Sequence, residues 1–438
     1  MFIVSHEVKV NCLPVIYLIA FGLSYQHLKS QMPVNSVAAE CIESNSFSFE
    51  PNGDPKNFNF LRNTIGNKSI VMLSEADQGD GASYQVMSEM MRYLIDSMGF
   101  KVLAFDNSNV DINFFQSKIS QTDSISTFDT YFGPNILNAG YGFNIVPFLQ
   151  TRIKEKKLEL FGLDFQMRLD SAVNNLLKET CNFLQCEDSV IDKTFVSLLN
   201  NLNLFGHRAF LDDSYTRILL EKIDLLIAAM NKTLGQNEKE FRTIIRQWMN
   251  VKYFVTWLNR RFNFTNEAED VKVTANYLAA RDSIMAENLV WMLNYLYPGA
   301  KIIINVSAYH ASRFCYKIEG FTECCKPVNV KTFGELMAGT AFRDEIYSIV
   351  FVSSGGFRGI EHDEVVKLPA PRRNSIEYVF SKTKFDYAFI DFNRNKCDWL
   401  NRGFFMAPFF NRYFLANWSD IFSGIVYIRD MKPNYYFR

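Results

Sequence analysis

Two short apolar runs separated by one amphipathic stretch constrain this chain more than any other feature. Ser69 to Glu75 reads as a buried strand. Val86, Met90, Leu94 and Ile95 fall on one face of a helix from about Ala82 to Met98, and Lys101 to Phe105 is a second strand entered through Gly99. That order is a β-α-β unit, whose crossover makes the two strands parallel within one sheet. Ligands of open α/β sheets gather beyond the carboxyl ends of the strands, so Glu75 and Asp106 are predicted to stand on one rim.

The pattern then continues, is interrupted and resumes. A third apolar strand runs from Leu158 to Phe165, with Gly162, Asp164 and Gln166 at its end. From about Met167 to Tyr277 the periodicity is helical, with Leu219, Leu220, Ile223 and Leu226 on one face and few Gly or Pro. A long helix over Val271 to Leu296 stops at Pro298-Gly299, and Lys301 to Val306 is a buried strand leading into Ser307 and His310. Tyr347 to Val352, Tyr387 to Asp391 and Ile425 to Ile428 fit further strands. The expected fold class is α/β: a mostly parallel central sheet flanked by helices, with an inserted all-helical lobe. The expected divisions are a signal peptide over 1–28, a first α/β part over 29–166 that opens on a Ser-, Asn- and Pro-rich lead-in, the helical lobe over 167–270, and a second α/β part over 271–438.

Composition narrows the function classes. The chain has 438 residues, 48% of them hydrophobic, enough to bury one large core or two. A formal net charge of -1 without a long basic run argues against nucleic acid or an anionic membrane surface as partner. The 41 Phe fit an apolar cleft, but packing is the commoner reason for buried rings. The apolar run Leu13 to Ser24 follows Lys9 and is too short for a membrane-spanning helix of about 20 residues, yet long enough for a signal-peptide core of about 7–15. Export, periplasmic or secreted, is expected; a buried first strand, and then a cytoplasmic protein, is the alternative. There are eight Cys, and if Cys12 leaves with a signal peptide an odd number remains, so one thiol at least is unpaired within the monomer. Cys181 and Cys186 lie within reach, and Cys324 and Cys325 are adjacent, but no spacing suits structural zinc, and no cofactor is called for.

Polar residues crowd three strand ends: Ser74-Glu75-Ala76-Asp77-Gln78-Gly79, Phe105-Asp106, and Ser307-Ala308-Tyr309-His310. With Met285-Ala286-Glu287-Asn288, Trp291 and Pro298-Gly299-Ala300-Lys301, and with Arg281 just upstream, these resemble the erythromycin esterase family. Leu160-Phe161-Gly162-Leu163-Asp164-Phe165-Gln166 extends the likeness over most of the chain after about residue 60. The resemblance implies general-base hydrolysis: a His held by carboxylates activates water against a lactone ester, and cationic groups steady the developing charge. Carried over by position, the acid that orients this His is Glu75, but the His itself is Gln78 and the preceding Thr is Asp77. The basic residue nine positions on falls on Met87, the second-strand Glu on Asp106, and the His-Asn of the last motif on Ser307 and Ala308, leaving His310. Arg281, Glu287, Asn288 and Asp77 are the expected substrate-contacting residues, although Glu287 and Arg281 could simply pair as helix ions.

A carboxamide orients water but takes no proton, and a positioned base contributes about 10²–10⁴ in rate. Met87 stabilises no oxyanion, a loss of about 10²–10³. The inherited chemistry is therefore expected to be impaired or altered. Three readings stay open: a non-catalytic protein that binds a small ester or an envelope-derived ligand; a hydrolase using His310 with Ser307, or with Glu75 and Asp106; or a metal site of Glu75, Asp77, Asp80, Asp106 and His310, against which stands the reading of Asp77 and Asp80 as caps of the following helix. Antibiotic inactivation is a label that arrives with the resemblance alone.

Overall fold

The computed structural model describes residues 36–121, 145–167, 170–185, 191–200, 202, 213–232, 238–262, 267–321, 330–359 and 365–434. The apolar run at 13–24, Cys12, Cys186, Cys324 and Cys325 lie outside them. In chain order the strands are β1 (Ser46–Ser48), β2 (Ile70–Glu75), β3 (Val102–Ser108), β4 (Glu159–Asp164), β5 (Ile302–Ser307), β6 (Ile346–Ser353), β7 (Phe357–Arg358), β8 (Val366–Lys367), β9 (Tyr387–Asp391), β10 (Phe404–Phe409), β11 (Arg412–Ala416) and β12 (Gly424–Ile428). Eight of them form one sheet in the order β1-β9-β12-β6-β2-β5-β3-β4, while β7 with β8 and β10 with β11 make two small pairs. Every contact from β12 to β4 is parallel, and β9 alone runs against its neighbours.

The strands are buried on both faces because helices cover both. Ile70, Met72, Ile302 and Ile304 face one core, and Val71, Leu73, Leu103 and Ile303 face the other. The first crossover helix, Gly81–Met98, ends where Gly99 takes a left-handed conformation, φ 75°, which a residue without Cβ adopts freely. The chain runs outward from β2 through β3 to β4, then returns to insert β5 between β2 and β3, and only afterwards crosses to β6 on the far side. That reversal is the switch point at which such sheets open a crevice.

Between β4 and β5 lie the helices Asp170–Leu184, Lys193–Asn200, Asp213–Lys232, Glu238–Phe262 and Glu267–Trp291. They enclose a core of their own around Trp248, Phe195, Leu219, Ile223 and Leu226, which is the helical lobe that the periodicity predicts. Asn288 joins lobe to sheet. Its amide donates to Leu163 O at 2.6 Å and to Asn250 Oδ1 at 2.8 Å, and its oxygen accepts from Arg246 Nε at 2.5 Å.

Two regions differ from the sequence reading. The lead-in segment contains a helix, Ser36–Asn45, and the short edge strand β1, tied to the loop after β9 by a disulfide between Cys41 and Cys397. The β10–β11 hairpin is also new; its partners lie close in sequence and carry so many aromatic residues that no alternation stands out.

Candidate active site

The carboxyl ends of β2, β5, β3 and β4 lie side by side, and the register brings Glu75 opposite Ser307 and Phe105 opposite Asn305. On β3 the pairing slips. Phe105 faces Gly162 but Ser108 faces Asp164, so Asp106 and Asn107 form a bulge with one residue more than β4 supplies. Bulges re-aim side chains, and this one sets Asp106 among the groups of the rim.

Glu75 is buried, and its carboxyl is held well above the usual range, first by desolvation and then by the charges of Asp106 and Asp80. Two hydrogen bonds oppose this, one from the Glu75 backbone and a weaker one from Asn305, whose Nδ2 lies 3.4 Å from Glu75 Oε2 and 3.6 Å from the Met87 sulfur. The position where the resemblance expects a cation is filled by a fully buried thioether, so nothing there favours ionised Glu75. Asp106 is also raised, again chiefly by burial with Asp164 adding to it, while His310, Arg281 and a hydrogen bond from the Ser307 backbone pull the other way. The two carboxyls act on one another, and the pair holds a proton more readily than free carboxyls would; a protonated member can donate as well as accept.

His310 belongs to a second pair. Its Nδ1 stands 2.7 Å from Asp282 Oδ1, and that oxygen also accepts the Phe333 N–H at 2.8 Å. Asp282 is fully buried and His310 nearly so. With Nδ1–H turned to a carboxylate, Nε2 carries the lone pair. Ser307 caps the short helix Ala308–Ala311, its hydroxyl accepting from the His310 backbone N–H at 3.5 Å, so the Ser hydroxyl is aligned with the backbone rather than with the imidazole.

Arg281 brings a partly buried cation to the rim. It grips Asp164 Oδ2 through Nε at 2.8 Å and through a second guanidinium nitrogen at 2.6 Å. Burial works against its charge, but Asp164 and Asp106 outweigh that and hold it protonated. Asp164 in turn accepts the backbone N–H groups of Phe165 at 2.6 Å and Gln166 at 3.3 Å.

Other expected residues lie elsewhere. Gln78 is exposed, and its backbone carbonyl, not its side chain, accepts from Asn434 Nδ2 at 3.0 Å. Asp77 is paired with Arg358 and accepts the Gly79 N–H at 2.8 Å. Asp80 occupies the cap position of the helix Gly81–Met98, but its side chain makes no capping bond; only its backbone carbonyl does. The cap reading therefore holds for position and fails for chemistry. Among the described residues no three His, Cys, Asp or Glu side chains stand close enough together to hold a metal ion. Glu287 is exposed and pairs with Tyr253 and Arg246 on its own lobe rather than with Arg281, and Asn288 is committed to the lobe junction. Asp282 and Asn305 are residues that sequence reasoning missed. Asp282 lies next to Arg281 in an amphipathic helix, and Asn305 is a lone amide in the apolar run of β5; the second was a visible signal.

The profile of the erythromycin esterase family matches residues 149–431. The chain belongs to that family. The matched stretch takes in Asp164, Arg281, Asp282, Ser307 and His310, and begins after Glu75, Gln78 and Asp106. YbfO of Bacillus subtilis (strain 168), a protein assigned as a candidate hydrolase, is 22% identical over 366 residues, covering 79% of each chain. A solved Bacillus cereus protein superimposes with a TM-score of 0.75 at 17% identity over 93% of this chain and 100% of its own. A mutant of the erythromycin esterase EreC in its open conformation superimposes at 0.56 and 14% identity, over 88% of this chain and 98% of its own. At these identities the solved structures establish the shared fold of the family, an α/β sheet with flanking helices.

Proposed function

We propose that this erythromycin esterase family member is a carboxylic-ester hydrolase with altered proton handling, in which His310 rather than position 78 activates water. The single observation that carries this reading is the 2.7 Å contact between His310 Nδ1 and buried Asp282, beside the Glu75–Asp106 carboxyl pair. In the reaction, water oxygen bonds to the ester carbonyl carbon while its proton passes to His310 Nε2. The carbonyl π electrons move onto oxygen, which the Arg281 cation and a protonated Glu75 can stabilise. Collapse re-forms the carbonyl, breaks the bond to the alkoxy oxygen and returns the proton from His310 to the departing alcohol. Asp282 keeps the imidazole turned so that the Nε2 lone pair is the one offered to water.

The substrate class is a small-molecule ester or an envelope-derived ester. The Cys41–Cys397 disulfide supports an exported protein, because such bonds persist in oxidising compartments. A second reading, binding without turnover, is favoured by the exposed carboxamide at Gln78 and the thioether at Met87. The test is turnover of macrolide lactones and of p-nitrophenyl esters by the purified protein. Hydrolysis that drops about 10²-fold or more in His310→Asn and survives in Gln78→Ala is expected. Full activity in His310→Asn would remove the proposal, and ligand binding with no measurable turnover would replace it by the second reading.

A further inference from the structure

Away from the catalytic rim, a cavity of about 580 Å³ runs along β4, bounded by the helices Asn109–Gln121, Asp170–Leu184 and Glu238–Phe262. Glu75, Asp106, Arg281 and His310 do not line it. β4 is the last strand of the sheet, and its open side is closed by amide side chains instead of another strand. Gln116 accepts the Leu160 N–H, and Asn109 Nδ2 donates to Gly162 O at 3.0 Å. Gln116 spends its other end on Glu159 Oε2 at 2.6 Å, while Asn109 uses only one end of its amide on the sheet edge, and together they give the cavity a polar wall.

Two of the lining groups are unfinished. Asn109 and Gln247 are 4% and 1% exposed, and the Asn109 Oδ1 and Gln247 Nε2 atoms are buried without a hydrogen-bond partner. An orphan acceptor and an orphan donor on two residues of one cavity wall match a ligand that offers both, as a hydroxyl does. The charged lining is unbalanced. Among the described lining residues, Glu159, Glu179 and Glu240 stand with one cation, Lys239, whose ammonium lies 4.6 Å from the centre of the Tyr297 ring. Glu179 is half-buried; burial and then the charge of Glu240 push its carboxyl up, against partial relief from Asn175, whose Nδ2 donates to Oε1 at 2.8 Å, and a bound cation would favour its charged form. A volume of this size suits a small ligand, and the Phe161, Phe183 and Tyr297 rings give it apolar faces.

We propose that this cavity is a second ligand site, separate from the catalytic rim, which takes a small hydroxylated organic cation. Its hydroxyls complete Asn109 and Gln247, and its ammonium is held by Glu179 and Glu240. The site stands on its own geometry and does not depend on whether the rim hydrolyses esters.

Calorimetric titration of the full chain with glucosamine, glucose and putrescine tests it. Glucosamine carries hydroxyls and charge together, glucose lacks the charge and putrescine the hydroxyls. Glucosamine is expected to bind at least about tenfold more tightly than either, and Gln247→Leu and the double variant Glu179→Gln/Glu240→Gln are each expected to weaken it by about tenfold or more. Gln247→Leu removes an unpaired buried donor without changing volume much, so its melting temperature should not fall; should it fail to fold, the Glu179→Gln/Glu240→Gln variant reads the same question. Glu75→Gln should leave the titration unchanged. Equal affinity for all three compounds, no heat at about 10 mM ligand, or binding abolished by Glu75→Gln while both cavity variants retain it would each overturn the site.

Discussion

Asp282 Oδ1 is shared between His310 Nδ1, at 2.7 Å, and the backbone N–H of Phe333, at 2.8 Å. The shared oxygen ties the helix that carries Arg281 and Asp282 to two other elements at once, the short helix Ala308–Ala311 and the start of the helix Phe333–Ala338, so the imidazole has one orientation in which to work. Asp282→Asn keeps the shape but offers an amide that can donate to Nδ1, which would turn the lone pair of the imidazole away from Nε2. Activity on esters is expected to fall about 10²–10⁴-fold in kcat with little change in KM. Combining it with His310→Asn should add almost nothing, because the two act as a unit; additive losses would separate Asp282 from His310.

Met87 places an uncharged sulfur 3.6 Å from the amide that serves Glu75. Met87→Lys brings an ammonium to that neighbourhood and should lower the Glu75 carboxyl by about 1–3 pH units. If protonated Glu75 is the donor to the oxyanion, the alkaline limb of the pH–rate profile moves toward acid by that amount in the variant. A profile that keeps its alkaline limb would take Glu75 out of the reaction, while the amide-based Glu75→Gln, which still donates, should retain activity with that limb flattened.

How much of this was legible in the sequence depends on the length scale of each signal. β2, β3, β4, β5, β6, β9 and β12 and the helix Gly81–Met98 fall where apolar runs and turn residues place them, because a strand covered on both faces writes its burial into consecutive residues. The shared rim of Glu75 and Asp106 followed from the crossover rule alone. The His310 partner did not: Asp282 is 28 residues away and meets the imidazole only after a long helix, a strand and a turn have packed. β1 is three residues long and is defined by its antiparallel partner β9 rather than by its own pattern. Glu287 illustrates the opposite error, since a motif position one residue from buried Asn288 points outward to Tyr253 and Arg246.

Asn288 bridges the sheet and the helical lobe with no exposure to solvent. Its removal strands Leu163 O, the Arg246 guanidinium and Asn250 in a buried setting, and an unpaired buried polar group costs about 1–3 kcal/mol, more when charged. Asn288→Leu should therefore lose about 3–5 kcal/mol in urea unfolding. A loss below about 1 kcal/mol would mean that water replaces the amide and that the junction is not dry.

Glu377 gives the fold a pH dependence that is independent of the rim. Its side chain is fully buried in the first turn of the helix Ile376–Ser381, with Oε1 accepting the Ala407 N–H at 2.8 Å. Burial pushes its carboxyl up to about 7, against partial relief from the Ala407 and Glu377 backbone N–H groups and the Ser375 hydroxyl. A raised folded pKa means that the native state binds the proton more tightly, so the stabilisation is complete below the unfolded value of about 4.5 and is lost as pH climbs to about 7. Over that window the unfolding free energy should decline by about 3 kcal/mol on account of this group. Glu377→Gln keeps an oxygen for Ala407 and carries no charge, so it should match the wild type near pH 4.5 and exceed it above neutrality. Urea titrations across this range decide the matter: parallel pH profiles for the two proteins would show that Glu377 is already ionised in the folded chain.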